Sequence, residues 1–302
     1  MELTCVKGNT WCLYGRQLIP VYRTDETHCI LFDPGRSNER AEIEAALGRA
    51  GLTPVGVMLT HMHYDHNENT KYFREKFGIP AAMPRGEADL CRNEASLKNH
   101  LFNFTMGMVR QTPRLQNLIT PIERVIESEE TRVDFQGASF GVFRSPGHSP
   151  DHICYITPDN VCFIGDVIMG GEDLEGAKIP FVFDMTMDLN SKQLLRSIRC
   201  DAYILSHMEV VTGPLDALID GNIARIQYCL DLMAGLADRP MSYSELYSRT
   251  DQALGLGEGH PARMLHLERY LRPYVEYLVD EGRLTLVNQA GAPGVAPAEG
   301  QA

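Results

Sequence analysis

The sequence has no run of eighteen apolar residues, which excludes a membrane-spanning helix. Its first ten residues, MELTCVKGNT, lack both the basic start and the apolar stretch of a secretory signal, so the expected compartment is the cytoplasm. None of the eight cysteines (5, 12, 29, 91, 154, 162, 200 and 229) belongs to a CxxC pair. Without an export signal, that scatter reads as buried reduced thiols rather than a disulfide framework. A basic surplus is missing too: 28 Lys and Arg face 40 Asp and Glu, a formal charge of −12. That balance weighs against a nucleic-acid backbone or an anionic membrane as the main partner. There is no internal repeat. What is present is a chain of 302 residues, 44% hydrophobic and 23% charged, which can bury a core. It has room for one large domain, or one of about 200 residues with a smaller attachment.

The first thirty-five residues read as strands at 11–14, 18–22 and 29–32, closing at Asp33-Pro34-Gly35. Apolar positions Ile43, Ala46 and Leu47 predict a helix over 38–50, stopped by Gly51. A buried strand at 55–59 runs into HMHYDH, followed by a helix over 67–77 and a strand at 79–83. Residues 86–120 read as a helical excursion whose Phe102, Phe104, Met106 and Met108 fill core slightly better than they form a lid. Strands return at 139–143, 154–156, 161–164 and 202–205, with a short helix at 191–199. Beyond Pro214 come a helix over 215–237, a second capped by Ser242 with Glu245, and a third over 262–281 leading to a strand at 284–287. That succession resembles a winged-helix module. The expected division is 1–213 for the body, 214–289 for the helical module and 290–302 for a disordered tail.

Histidine is concentrated: His61, His63 and His66 fall within six residues, with Asp65 between them. In an extended or turn conformation, positions i and i+2 can close on one ion, while Asp65 and His66 point toward a neighbouring site. His148 in SPGHS, Asp166 after 161–165 and His207 after 202–206 each follow an apolar strand. Carboxyl ends of strands in layered α/β folds converge on one edge, where such proteins place their sites. Five imidazoles and two carboxylates fit two metals, with His61, His63 and His148 on one, Asp65, His66 and His207 on the other, and Asp166 bridging. Such donors suit zinc, iron and manganese. A lone histidine is ordinarily a core or surface residue, and His28, His100, His260 and His266 are read that way. Three imidazoles and a carboxylate packed together are too costly without something to coordinate.

HMHYDH, then PGH at 146–148, GD at 165–166 and SH at 206–207, preceded by FDPG at 32–35, resembles the metallo-β-lactamase superfamily over about two-thirds of the chain. The resemblance implies an α/β fold, an αββα sandwich with a binuclear centre at one edge, here with a small C-terminal helical domain. It makes Asp33 an orienting residue rather than a ligand. HxHxDH with every later ligand present resembles the glyoxalase II and lactonase branch, and PGHSPDHICYI adds His152 near the metals without a ligand role. Two departures stand out: Asn67-Glu68-Asn69 replaces the usual glycines after the motif, and Met208-Glu209 follows His207.

The implied activity is hydrolysis of a small ester, thioester or lactone by a metal-bound hydroxide held over Asp65 and Asp166, with zinc the first choice of metal and iron or manganese open. Tyr64, Met169, Glu172 and Met208 are the residues expected at the pocket wall. The alternatives are an iron-containing redox or oxygen-handling protein, a nuclease, and a metal-dependent sensor. The expected partner is a small molecule, and a homodimer stays open.

Overall fold

Alternation within single strands decides the architecture. Cys29 and Leu31 face one way and Ile30 and Phe32 the other, yet all four are buried. Cys162 and Ile164 likewise oppose Phe163 in the second half of the chain. Strands buried on both faces need layers on both sides. The computed structural model describes residues 1–207, 209–256 and 261–298.

One sheet runs in chain order through β1 (Glu2–Lys7), β2 (Thr10–Tyr14), β3 (Leu18–Arg23), β4 (His28–Phe32), β5 (Thr53–Met58), β6 (Ala81–Pro84) and β7 (Arg124–Ile126). It is antiparallel up to β4 and parallel from β4 to β7. The second runs through β8 (Arg132–Phe135), β9 (Ala138–Arg144), β10 (Ile153–Ile156), β11 (Val161–Gly165), β12 (Ala202–Leu205) and β13 (Glu209–Val211). Only β11 and β12 pair in parallel there. Between the sheets, Phe32 sits edge-on to Phe140 and Tyr155, each at 5.4 Å between ring centres. Such pairs add about 0.5–1.5 kcal/mol each beyond the area they bury.

The outer face of the first sheet is covered by α1 (Arg40–Arg49), α2 (Tyr64–Asn67), α3 (Thr70–Phe77), α4 (Arg85–Leu90), α5 (Glu94–His100), α6 (Met106–Gln111) and α7 (Pro113–Leu118). α8 (Gly171–Gly176) packs against the long helix that follows α9 (Met185–Leu195), and that helix, α10 (Asp216–Leu236), starts on the second sheet with Ile219 beside Leu195 of α9. The result is an αββα sandwich. Then come α11 (Tyr243–Leu254), α12 (Pro261–Asp280) and a small sheet of β14 (Met241–Ser242), β15 (Leu284–Gln289) and β16 (Ala292–Pro297). Ser242 caps α11 by accepting from the Glu245 amide, and Leu267, Leu271, Tyr274, Val275 and Leu278 of α12 are buried together. Val182 and Met185 of the body share that core, so the module is seated on the sandwich.

Several expectations need correction. Residues 292–297, expected in a disordered tail, form β16, which pairs with both β14 and β15. Ala290 and Gly291 both take positive φ, 50° and 87°, which is the two-residue turn that suits a right-twisted hairpin. Val295 then enters the module's core fully buried. The helix expected at 191–199 begins at Met185, because the Asp184 side chain caps it by accepting from the Met187 amide. The helix expected over 67–77 is two, α2 and α3. Phe102 is exposed rather than core.

Candidate metal centre and cavity

Asp33, His61, His148, Asp166 and His207 follow the carboxyl ends of β4, β5, β9, β11 and β12, and the short α2 turns Asp65 and His66 toward the same edge. Three groups of ligand-type atoms form there; two match the expected sets, His61 with His63 and His148, and Asp65 with His66 and His207, and the third joins Asp33 to His61 and His66. His63 Nδ1 lies 3.0 Å from His61 Nε2 and 2.9 Å from His148 Nε2. Asp166 Oδ2 lies 3.2 Å from His66 Nε2 and 3.5 Å from both His148 Nε2 and His207 Nε2. It therefore stands between the two groups.

The far side of each ring settles which nitrogens are bare. Thr60 Oγ1 donates to Asp33 Oδ2 at 2.6 Å, so it accepts the Nδ1 proton of His61 at 2.9 Å. His148 Nδ1 donates to the Phe181 carbonyl at 3.2 Å, and His66 Nδ1 to Asp33 Oδ2 at 2.8 Å. The Nε2 atoms of His61 and His148 thus aim lone pairs at His63 Nδ1, where one proton could satisfy only one of them. His66 Nε2 likewise aims at a carboxylate. Asp166 Oδ1 is buried with no hydrogen-bond partner among the described residues. Converging lone pairs and an orphaned carboxylate oxygen are what a cation satisfies, and the imidazole and carboxylate donors suit a divalent metal.

Electrostatics agree at the group of His61, His63 and His148. Burial, reinforced by neighbouring imidazoles, holds His61 and His63 well below the usual histidine range, and burial also lowers His148. All three stay neutral, as ligation requires. Burial would raise Asp166, but His66 and His207 outweigh it and hold the carboxyl well below the usual range. Burial would lower His66, yet Asp166 and Asp33 lift it well above; Asp166 also raises His207.

The supporting residues lie just behind. Asp33, at φ 42°, accepts from the Thr60 amide as well as its hydroxyl, so its oxygens serve the loop and His66. His152 is no part of either ligand group: its Nδ1 faces Ser145 Oγ at 2.8 Å and its Nε2 accepts the Asp166 amide at 3.1 Å. Gly165 takes φ +62°, and a Cβ there would stand 2.4 Å from His152 Nε2, so only glycine lets this ring reach the Asp166 backbone. Sequence reasoning missed Gln17, whose amide lies 2.9 Å from His66 Nδ1, and Glu87. Glu87 accepts from Ser149 Oγ, the Asp151 amide and the Met62 amide, tying α4 to both ligand loops. Neither is a ligand type in a motif, so no local signal marked them.

The centre opens into a cavity of about 580 Å³, lined by Tyr64 and Met169 as expected. Glu172 is a correction: it is exposed on the first turn of α8 and does not line the cavity. Met208 lies outside the described residues, as does His260. The module contributes Asn222, His266, Arg269 and Tyr270 to the wall. Asn222 clamps the loop after Asp166, accepting from the Met169 amide at 2.9 Å and donating to its carbonyl at 3.0 Å.

An αββα sandwich with such a cluster at one edge of its sheets is a divalent-metal-binding fold. The chain belongs to the Metallo-beta-lactamase superfamily, whose family pattern matches residues 19–207. A probable metallo-hydrolase, YqgX of Bacillus subtilis (strain 168), is 29% identical over 147 residues, which is 48% of this chain and 64% of that protein. The chain thus spans less than two-thirds of that relative. An atrochrysone carboxyl ACP thioesterase of Passalora fulva is 24% identical over 267 residues, covering 85% of this chain and 68% of that one. Among solved structures, a beta-lactamase domain protein from Burkholderia ambifaria superposes with a TM-score of 0.71 at 17% identity, covering 98% of this chain and 93% of that one. That likeness concerns the fold.

Proposed function

We propose that the protein is a binuclear metal-dependent hydrolase of small esters, thioesters or lactones, with zinc the favoured metal. The observation that carries this reading is Asp166 Oδ2 standing within 3.2–3.5 Å of His66, His148 and His207, between two groups of bare ligand atoms. Two divalent cations would supply Lewis acidity and water acidified to a pKa of about 7.

The chain's own residues do the rest. Asp166 fixes the spacing of the two groups. Thr60, Asp33 and the Phe181 carbonyl hold His61, His66 and His148 in the tautomers that leave Nε2 bare. His152 and Gly165 hold the Asp166 backbone, and the cavity takes the organic part of the substrate. The named metallo-hydrolase and thioesterase relatives support hydrolysis; the acidic balance and the apolar wall support a small acyl compound over a polyanion.

The test is elemental analysis of protein purified without added metal or chelator, followed by an ester, thioester and lactone panel. Two metals per chain, with hydrolysis lost on chelation and on Asp166→Asn, is the expected result. One metal per chain in the intact protein would overturn the binuclear reading. Two irons with oxygen consumption and no hydrolysis would move the protein to redox chemistry.

A further inference from the structure

The cavity is chemically two-sided. In a chain of formal charge −12, its lining holds four cationic side chains, Arg36, Arg114, Lys192 and Arg269. Among the described residues, its only lining carboxylates are Asp65 and Asp166 of the metal centre. Lys192 is neutralised by Asp188. The arginines are arranged differently. Arg36 and Arg114 both lie over the Tyr64 ring, at 5.2 and 5.6 Å from its centre. Arg36 also reaches Asp65, whereas among the described residues Arg114 has only a long 3.9 Å pairing with Glu68, whose Oε1 already accepts from Ser37. The Arg114 side chain is 54% exposed and Tyr64 37% exposed, so this stack forms the mouth. On the other side Arg269 approaches His100 Nε2 at 3.1 Å and Phe181 at 5.7 Å, and Phe181 packs edge-on to His63.

The inner wall is apolar. Leu97, Leu101, Phe104, Leu115 and Leu118 of α5, α7 and the segment between them face the cavity, with Leu97, Leu101 and Leu118 buried. The module closes this side: Asn103 donates to the Leu265 carbonyl, and Phe104 meets His266 edge-on at 5.2 Å. An apolar recess beside a reaction centre, entered through a cationic mouth, fits a molecule with a hydrocarbon half and an anionic half.

Resting on the hydrolase reading above, we propose that the substrate is an acyl thioester of an anionic carrier thiol. The hydrocarbon acyl chain lies along Leu97, Leu101, Phe104, Leu115 and Leu118, and the phosphate or carboxylate groups of the leaving thiol meet Arg114 and Arg36 at the mouth. Water oxygen bonds to the carbonyl carbon, the C–S bond breaks, and the products are a carboxylate, a thiol and one released proton. The thiol leaves on the exposed side, so its charge belongs at the mouth, and the chain that stays behind is the apolar half.

The experiment compares decanoyl-coenzyme A, decanoyl-glutathione and decanoyl-N-acetylcysteamine, which share acyl chain and scissile bond but differ in charge, on the metal-loaded full chain. The kcat/KM of an anionic thioester is expected to exceed that of the neutral one by about tenfold or more at low salt and to converge on it at high salt. Whichever anionic carrier is preferred tells phosphate from carboxylate, and either supports the proposal. Arg114→Gln is expected to collapse the ratio. Along a C2 to C12 series kcat/KM should rise about fourfold per methylene until the recess is full. Leu115→Trp should move that break to shorter chains; should it fold poorly, Phe104→Ala should move it to longer ones. Cleavage of all three carriers at equal rates, or a flat chain-length profile, overturns the proposal and leaves the hydrolase standing. No cleavage of any member by protein holding two metals overturns the thioester reading itself.

Discussion

His152 occupies a position that a ligand count overlooks. Its Nε2 takes the Asp166 amide and its Nδ1 faces Ser145, so the ring sets where the Asp166 carboxylate begins. Burial keeps it well below the usual histidine range and therefore neutral, which the acceptor role requires. His152→Ala leaves a buried amide unpaired and Asp166 free to turn. Metal affinity should fall by about 10–100-fold, as for other residues that orient ligands, in a competition titration against a chromophoric chelator. Unchanged affinity would reduce His152 to a packing residue. Glu87 makes a second case at this scale. Burial pushes its carboxyl up to about 7, against the pull of the Asp151 amide and Ser149. The unfolded chain binds its proton only below the ordinary value of 4.5, so this group's stabilising contribution is complete below that pH and is lost as pH rises through 7. Glu87→Gln does not titrate. Between pH 4 and pH 8 its stability, measured by denaturant unfolding at both, should gain on the parent's by about 3 kcal/mol. A pH-independent difference would mean that the Glu87 carboxyl titrates in the folded chain as it does in the unfolded one.

The hairpin of β15 and β16 completes the C-terminal module. Val295 is fully buried among Leu284, Leu271 and Val275, while its neighbours in GAPGVAP are small. Deleting residues 292–302 should lower stability by at least about 2 kcal/mol, because it exposes that core and leaves β14 and β15 without a partner. A tail of no structural consequence would be removed without shifting the unfolding midpoint. Composition made this segment look disordered, since one valine among Ala, Gly and Pro cannot announce a strand whose support comes from β14, some fifty residues earlier in the chain. The metal edge was legible for the opposite reason. HMHYDH, PGH, GD and SH are local clusters following apolar runs, and the unbroken apolar stretches at Cys29–Phe32 and Val161–Ile164 mark strands that deliver them. Gln17 and Glu87 act across long sequence separations through ordinary hydrogen bonds, and nothing near them in sequence signals it. The cavity was half legible: Tyr64 and Met169 line it, but its apolar wall was read mainly as core.

At the scale of the whole molecule, the site ties together both sheets and the C-terminal module. Asp33, His61, His63 and His66 come from the first sheet's edge, His148, Asp166 and His207 from the second's. Asn222 of α10 clamps the loop that carries Asp166 onward to Met169. A cation held by residues of both sheets binds the folded chain and not the unfolded one, so occupancy adds directly to stability. Each ion present at about a thousand times its dissociation constant contributes about 4 kcal/mol. For a chain of this size 1 kcal/mol moves Tm by about 2 °C, so stripping two ions should lower Tm by on the order of 10–15 °C. Calorimetry before and after chelation, with restoration by added zinc, measures it. Because the ligands span the two sheets, the loss should appear as one shifted transition. A shift confined to a minor early transition would show instead that the metals brace a local loop, and that the sandwich and its module hold together without them.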